Sequence, residues 1–235
     1  MPNATERDAG GAYVVTSAHA RAEAGPPEAS TAEAGTRDPA QMPGLRLPGG
    51  QVWDESTRPS APPAEEGYAY SRMGRAVGGH LAQVHDHLRA ELEQIRDVLR
   101  QVKDSALTAG QARERVNEMS LRQNNWTLGA YCASYCAVVT GHHGLEDRAV
   151  FPHLRRSEAD LAPVIDRLEA EHVIIHEVLL DVDRALVNLV TAPGDFTEIE
   201  EAVEVLTRTL LSHLAYEERE ITGPLSRYGF YAGQV

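Results

Sequence analysis

The chain has 235 residues, with 22 Lys plus Arg against 35 Asp plus Glu, ten His and two Cys. That length holds one medium domain with or without a tail. The formal charge of −13 argues against a nucleic-acid surface or a polybasic membrane anchor, since both need clustered positive charge. Two cysteines exclude a disulfide scaffold and a four-Cys zinc site. Low aromatic and high charged content suits a helical bundle better than a β-sandwich.

Residues 1–67 stand apart. Seventeen of these 67 residues are Pro or Gly, and the apolar residues follow no period of 2 or 3.6. Such a segment buries too little surface to offset its chain entropy, so a disordered tail is expected over 1–67, with a domain over 68–235. Trp53 is a candidate docking anchor within the tail, and a protein partner recruited through the tail is one expectation. The first residues lack a basic start followed by an apolar run, and no stretch reaches the roughly 18 apolar residues of a membrane helix. A cytoplasmic protein with reduced thiols and no membrane contact is expected.

From about residue 70 the pattern is helical. Helix 1 is expected over about 70–108, with Leu81, Leu88, Leu92, Ile95, Leu99 and Val102 in one register. A Thr-Ala-Gly break at 108–110 ends it, and a short connecting helix is expected at about 111–119. Helix 2 is expected over about 125–151, with Leu128, Cys132, Tyr135 and Val139 in register and the Phe151-Pro152 pair as its stop. Helix 3 spans about 158–191, with Leu161, Ile165, Leu168, Ile175, Leu179, Val182, Leu186 and Leu189. After a turn at 192–195, helix 4 starts near Thr197, where Glu200 completes a capping box, and ends near Gly223-Pro224. It carries Ile199, Val203, Leu206 and Leu210. Four amphipathic helices with short connections predict an all-α, antiparallel up-down-up-down four-helix bundle.

Each register passes through polar exceptions. His85 falls between Leu81 and Leu88. The helix 2 series continues to His142 and Glu146. His172 lies between Leu168 and Ile175, with His176 one turn on at the adjoining edge. The helix 4 series continues to His213 and Glu217. Burying such groups unpaired costs several kcal/mol each, on the order given by transfer energies; a metal removes that cost by bonding to them. Residues i and i+4 share a helix face, so His142/Glu146, His172/His176 and His213/Glu217 each form a two-ligand pincer. In an antiparallel bundle all four sets fall toward one end.

Seven N/O donors are too many for one tetrahedral zinc. Five imidazoles and two carboxylates able to bridge suit two first-row transition ions, iron first, manganese or zinc next. His172-Val-Ile-Ile-His176 lacks the Glu of a zincin, and Glu169-x-x-His172 stands alone where ferritin-like sites need two such motifs.

The series His85, His142-x-x-x-Glu146, His172-x-x-x-His176, His213-x-x-x-Glu217 resembles the hemerythrin-like, HHE cation-binding family over about 76–225. Segments such as HDHLRAEL, RQNNWTLGAYCASYC, HHGLEDRAVFPHLRR and LLSHLAYEERE look like those of its actinobacterial members. The resemblance implies two iron ions, completed by an oxo or hydroxo bridge, with an open position for O2, peroxide or NO. The last motif departs from the invertebrate oxygen carriers, whose final carboxylate is an Asp five residues after its His; Glu217 follows His213 by four. That departure turns the expectation from oxygen carriage toward sensing or detoxification. A di-iron redox enzyme, peroxide-decomposing or oxygenase, is the second expectation, although no acid or base beyond the ligands marks a reaction. An interaction module with structural metals is the third.

The remaining candidates are bystanders. His80 and His87 fall outside the helix 1 register. His143 is off register beside a ligand and reads as a surface residue or as support for the ligands, with metal contact as the lesser alternative. His153, after Pro152, reads as solvated. Tyr135 divides evenly between core packing and a place near the metals. Cys132 and Cys136, four apart, read as small buried thiols. Glu171, Asp147 and Glu218 flank ligands and are candidates for orienting imidazole N–H groups.

Overall fold

The computed structural model describes residues 52–109 and 114–230, with side chains between 105 and 127 left aside. Its long helices are α1 (Arg72–Ala109), α2 (Glu114–Leu145), α4 (Ala162–Thr191) and α5 (Thr197–Tyr228), with a short α3 (Phe151–Ser157) between α2 and α4. α1 packs on α2 and α5, and α4 on α2 and α5, which closes a four-helix bundle. None of the described helices is long and apolar enough to cross a membrane.

The helical registers read from the sequence face inward. The apolar residues named above for the four helices are all buried. They form two clusters. One holds Leu88, Leu92, Val139, Ile175, Leu179 and Leu210; the other holds Leu81, Phe151, Leu154, Leu168, Tyr216 and Ile221. In α1 the clusters change over between Leu81 and Leu88, in α4 between Leu168 and Ala170, and in α5 between Leu214 and Tyr216. His85 lies within the first changeover, and His172 and His213 lie within two residues of the others, so the polar residues form a layer near the junction of the two apolar clusters.

Several boundaries differ from expectation. The connecting helix expected at 111–119 is not separate: from Glu114 the chain is already in α2, and residues 110–113 lie outside the described set. Phe151-Pro152 does not end the helical path. The α ladder stops at Leu145, a π turn covers Glu146–Val150, and Phe151 N–H bonds to Glu146 O across it. Pro152 then falls in the first turn of α3, where a missing N–H costs nothing. α5 likewise runs through Pro224 to Tyr228 and stops at Gly229, whose φ is +69°. The capping box at Thr197 is not formed. Asp195 Oδ1 accepts from Thr197 N–H (3.1 Å), and Glu200 instead pairs with Lys103 (2.6 Å).

α1 lies tight against α5 at two glycines. A Cβ on Gly74 would lie 2.1 Å from the Ser226 carbonyl oxygen, and one on Gly78 would lie 2.7 Å from that of Thr222. Only hydrogen fits at either place.

The expected tail boundary at 67 is too late. Residues 1–51 lie outside the described set, but 52–67 are described and 53–61 lie against the bundle. Trp53 is 7% exposed and belongs to the larger apolar cluster. Tyr216 O–H donates to Pro59 O (2.9 Å), and Ala61 N–H donates to Glu220 (2.7 Å). This strap holds by isolated anchors and hydrogen bonds, so it carries no hydrophobic period.

Candidate metal centre

Six of the seven residues expected as ligands converge in the polar layer. His85, His172, His213, Glu146 and Glu217 are buried, and the His142 side chain is 11% exposed. The seventh, His176, is exposed on α4 at the rim of a surface hollow and does not join them. Its place is taken by His143. That residue is 5% exposed, and its ring stacks on His172 with centroids 4.0 Å apart. The donor atoms fall into two groups: His143, His172 and His213 in one, His85, His142, Glu146 and Glu217 in the other. Within each they lie inside 4.8 Å of one another.

The histidines meet through their Nε2 atoms. His85 Nε2 is 3.0 Å from His142 Nε2, and His172 Nε2 is 3.1 Å from His213 Nε2. The carboxylates reach both groups. Glu146 Oε1 is 3.2 Å from His142 Nε2, and its Oε2 is 3.7 Å from His172 Nε2. Glu217 Oε2 is 3.4 Å from His85 Nε2 and 3.7 Å from His213 Nε2.

The Nδ1 atoms face outward to the three acids that the sequence suggested. Glu218 takes His85 Nδ1 (2.9 Å), Asp147 takes His172 Nδ1 (2.7 Å) and Glu171 takes His213 Nδ1 (3.1 Å). Each acid is the chain neighbour of a converging residue and orients a histidine on another helix. Holding the proton on Nδ1 leaves the Nε2 lone pair free for a cation. The π turn contributes here: it begins with Glu146, which points inward, and Asp147, which reaches α4.

Burial sets the electrostatics. Desolvation, reinforced by neighbouring imidazoles, lowers His85 to about 2 and His142 to about 4, and holds His143 well below the usual range. Desolvation also lowers His213 to about 4 against the opposing hydrogen bond that His213 donates to Glu171. The carboxylates move the other way. Desolvation and then the Glu217 charge push Glu146 well up, and desolvation lifts Glu217 to about 8. Neutral imidazoles around two reluctant carboxylates form a donor set that lacks positive charge.

The unsatisfied atoms locate that lack. His143 Nε2, Glu146 Oε2 and both Glu217 oxygens are buried without a hydrogen-bond partner. Buried polar atoms are seldom left so, because each costs about 1–3 kcal/mol. Cations at the two groups would satisfy all four, and the imidazole–carboxylate donors fit divalent transition metals.

The bystanders are placed as follows. His80 is exposed, and His87 pairs with Glu91 on the surface (3.1 Å). His153 is not simply solvated: its Nε2 contacts the Gly229 carbonyl at 2.8 Å. Tyr135 is buried and its O–H donates to Leu88 O (3.1 Å), which resolves it toward packing. Cys132 is buried and Cys136 half-buried, both as free thiols pushed up by desolvation, to about 12 and about 11. Arg58 and Arg167, both on Glu171, drew no notice in the sequence. Arg58 lies in an aperiodic segment, and Arg167 falls next to the inward Leu168.

A four-helix bundle with a buried histidine–carboxylate cluster able to hold metal defines a class of cation-binding protein. The family model described as the hemerythrin HHE cation-binding domain matches residues 79–223. The chain belongs to that family. Comparison with curated proteins and with solved structures gives no match.

Proposed function

We propose that the protein is a non-haem di-iron protein that binds or senses O2, peroxide or NO at an open iron position. The observation that carries this reading is the position of Glu146, one carboxylate oxygen toward each donor group. Glu217 is shared differently, its Oε2 lying near both His85 and His213. The imidazoles of His143, His172 and His213 would hold one ion, with Glu146 and Glu217 within reach of both groups. The other ion would receive two imidazoles, from His85 and His142, and so is the less filled.

A hollow of about 290 Å³ reaches His143 and His172, and a larger one reaches the less filled group. A cavity of about 680 Å³ has His142 and Glu146 in its wall, with Val77, Leu81, Val84, Leu145 and Val150 around them. An apolar approach suits uncharged small ligands. Iron supplies reversible one-electron change and affinity for O2, peroxide and NO. The chain's residues hold the donors, fix the Nδ1 protons on Glu218, Asp147 and Glu171, and limit water around the layer. Zinc would satisfy the same donors without that redox chemistry.

The size of the cavity favours a second reading, a di-iron redox enzyme that decomposes peroxide or oxidises an organic molecule. Optical titration of the iron-loaded protein from anaerobic to aerobic conditions tests the first reading. Absorption bands that appear with iron and respond to oxygen, NO or azide support it. A silent spectrum at full iron loading removes it. Peroxide consumption proportional to iron content would support the second.

A further inference from the structure

The strap 53–61 lies outside the matched domain, yet it reaches the metal layer. Arg58 Nε and Nη2 donate to the two oxygens of Glu171 at 2.8 and 2.9 Å. Glu171 is fully buried and its Oε2 faces His213 Nδ1 at 3.1 Å. The Arg58 side chain is 5% exposed and sits over the rings of Tyr216 (4.6 Å) and Trp53 (5.3 Å). Arg167 completes the arrangement: its Nε donates to Glu171 Oε1 (2.8 Å), and its Nη1 donates to Thr57 Oγ1 of the strap (3.0 Å).

We infer that Arg58 is a positioning residue of the metal centre, setting the orientation and donor strength of His213 through Glu171. The physical reasons are direct. A bidentate guanidinium–carboxylate pair fixes the plane of Glu171, which a lysine could not do with one point contact. With its plane fixed, Glu171 offers one lone-pair direction to His213 Nδ1, so the His213 ring is held with Nε2 in the layer. The positive charge of Arg58 also withdraws electron density from Glu171 and so from His213. Removing that charge makes His213 the stronger donor, which favours the higher oxidation state of a bound metal and lowers its reduction potential. By reciprocity, filling the centre tightens the strap.

This inference rests on the metal reading but not on iron, so cobalt(II) serves as a second probe. The experiment compares the full chain with Arg58→Gln, Arg58→Lys and Tyr216→Phe. The last removes one strap anchor while keeping the ring under Arg58. Arg58→Gln is expected to weaken binding of cobalt(II) and iron(II) by roughly 10–100-fold, the usual cost of losing a partner that orients a ligand. It should alter the cobalt d–d spectrum and lower the reduction potential of the iron form. Arg58→Lys should restore the potential more than the affinity. Tyr216→Phe should lower thermal stability with the spectrum unchanged. Arg58→Gln that is less stable but identical in metal affinity, spectrum and potential makes the strap merely structural and overturns the proposal.

If Arg58→Gln does not fold, hydrogen exchange of the wild-type chain decides. Loading with cobalt(II) should slow exchange at the strap amides, Ala61 among them, and unchanged exchange overturns the proposal. A wild-type chain that binds cobalt(II) with the coupling described, but gives no ligand-responsive iron spectrum, refutes the di-iron function and supports the role of Arg58. One that takes up neither metal overturns both.

Discussion

His143 lies flat against His172, ring centroids 4.0 Å apart and planes 7° from parallel, while Phe151 stacks near the same His172 ring at 5.5 Å. The contact brings a second α2 histidine into the group with His172 and His213, where the sequence spacing had placed His176. His143→Ala should therefore reduce metal affinity by at least the roughly 10–100-fold seen when ligand-orienting partners are lost. His176→Ala should leave metal content unchanged. Metal analysis of the two variants after identical loading checks this, and the reverse order would restore His176 as a ligand.

The metal-free protein should have an uneven pH–stability curve. Glu217 is raised to about 8 in the folded chain and Glu146 is raised as well, against about 4.3 for an unfolded carboxyl. The folded state thus holds extra protons, and that stability is lost as pH rises through the folded values. His85, His142 and His213 are lowered to about 2, 4 and 4, against about 6.5 unfolded, so their stability is lost as pH falls below 6.5. Above 6.5 only the carboxylate effect remains. The melting temperature of the metal-free protein should fall between pH 6.5 and 8. The loaded protein should not show that fall, because the cations hold both carboxylates ionised. Calorimetry of the two forms across this range reads the difference.

Glu146→Gln and Glu217→Gln should each reduce that fall. Each replaces one buried carboxyl by a neutral group that needs no proton, so each metal-free variant should show a smaller fall above pH 6.5, with the remaining carboxyl still titrating. Metal binding should weaken in both. The same calorimetric series, with and without metal, checks the pair.

Gly74→Ala should destabilise the bundle by about 1–3 kcal/mol, the usual cost of overpacking. Alanine favours a helix over glycine by about 1 kcal/mol. The approach of a Cβ to the Ser226 carbonyl at 2.1 Å outweighs that, because a backbone oxygen cannot rotate away. Chemical denaturation gives the difference, and an unchanged or raised midpoint would show that α1 and α5 separate freely there.

Much of this was legible because burial imposes periodicity. Leu81, His85 and Leu88 mark one face of α1 whatever lies opposite, and a histidine at an apolar position is visible without coordinates. The i, i+4 rule, however, treats both members of a pincer alike. His172 does lie in the buried layer, but His176 sits at the edge of the inward face of α4 and is exposed. His143 could have been found only by knowing how α2 turns against α4 just before its π turn. Pro152 misled for a related reason: the π turn moves it into the first turn of a new helix. The strap was illegible as packing because Trp53 and Arg58 are single anchors with no period. Yet the pairing of a lone aromatic with an arginine in an otherwise apolar-poor segment was a signal.

The most direct test of the metal centre is the iron content of the full chain together with its Mössbauer spectrum. The account predicts about two irons per chain, magnetically coupled and in two distinguishable environments, one with three imidazoles and one with two. Less than about one iron per chain, or isolated uncoupled iron, would contradict it.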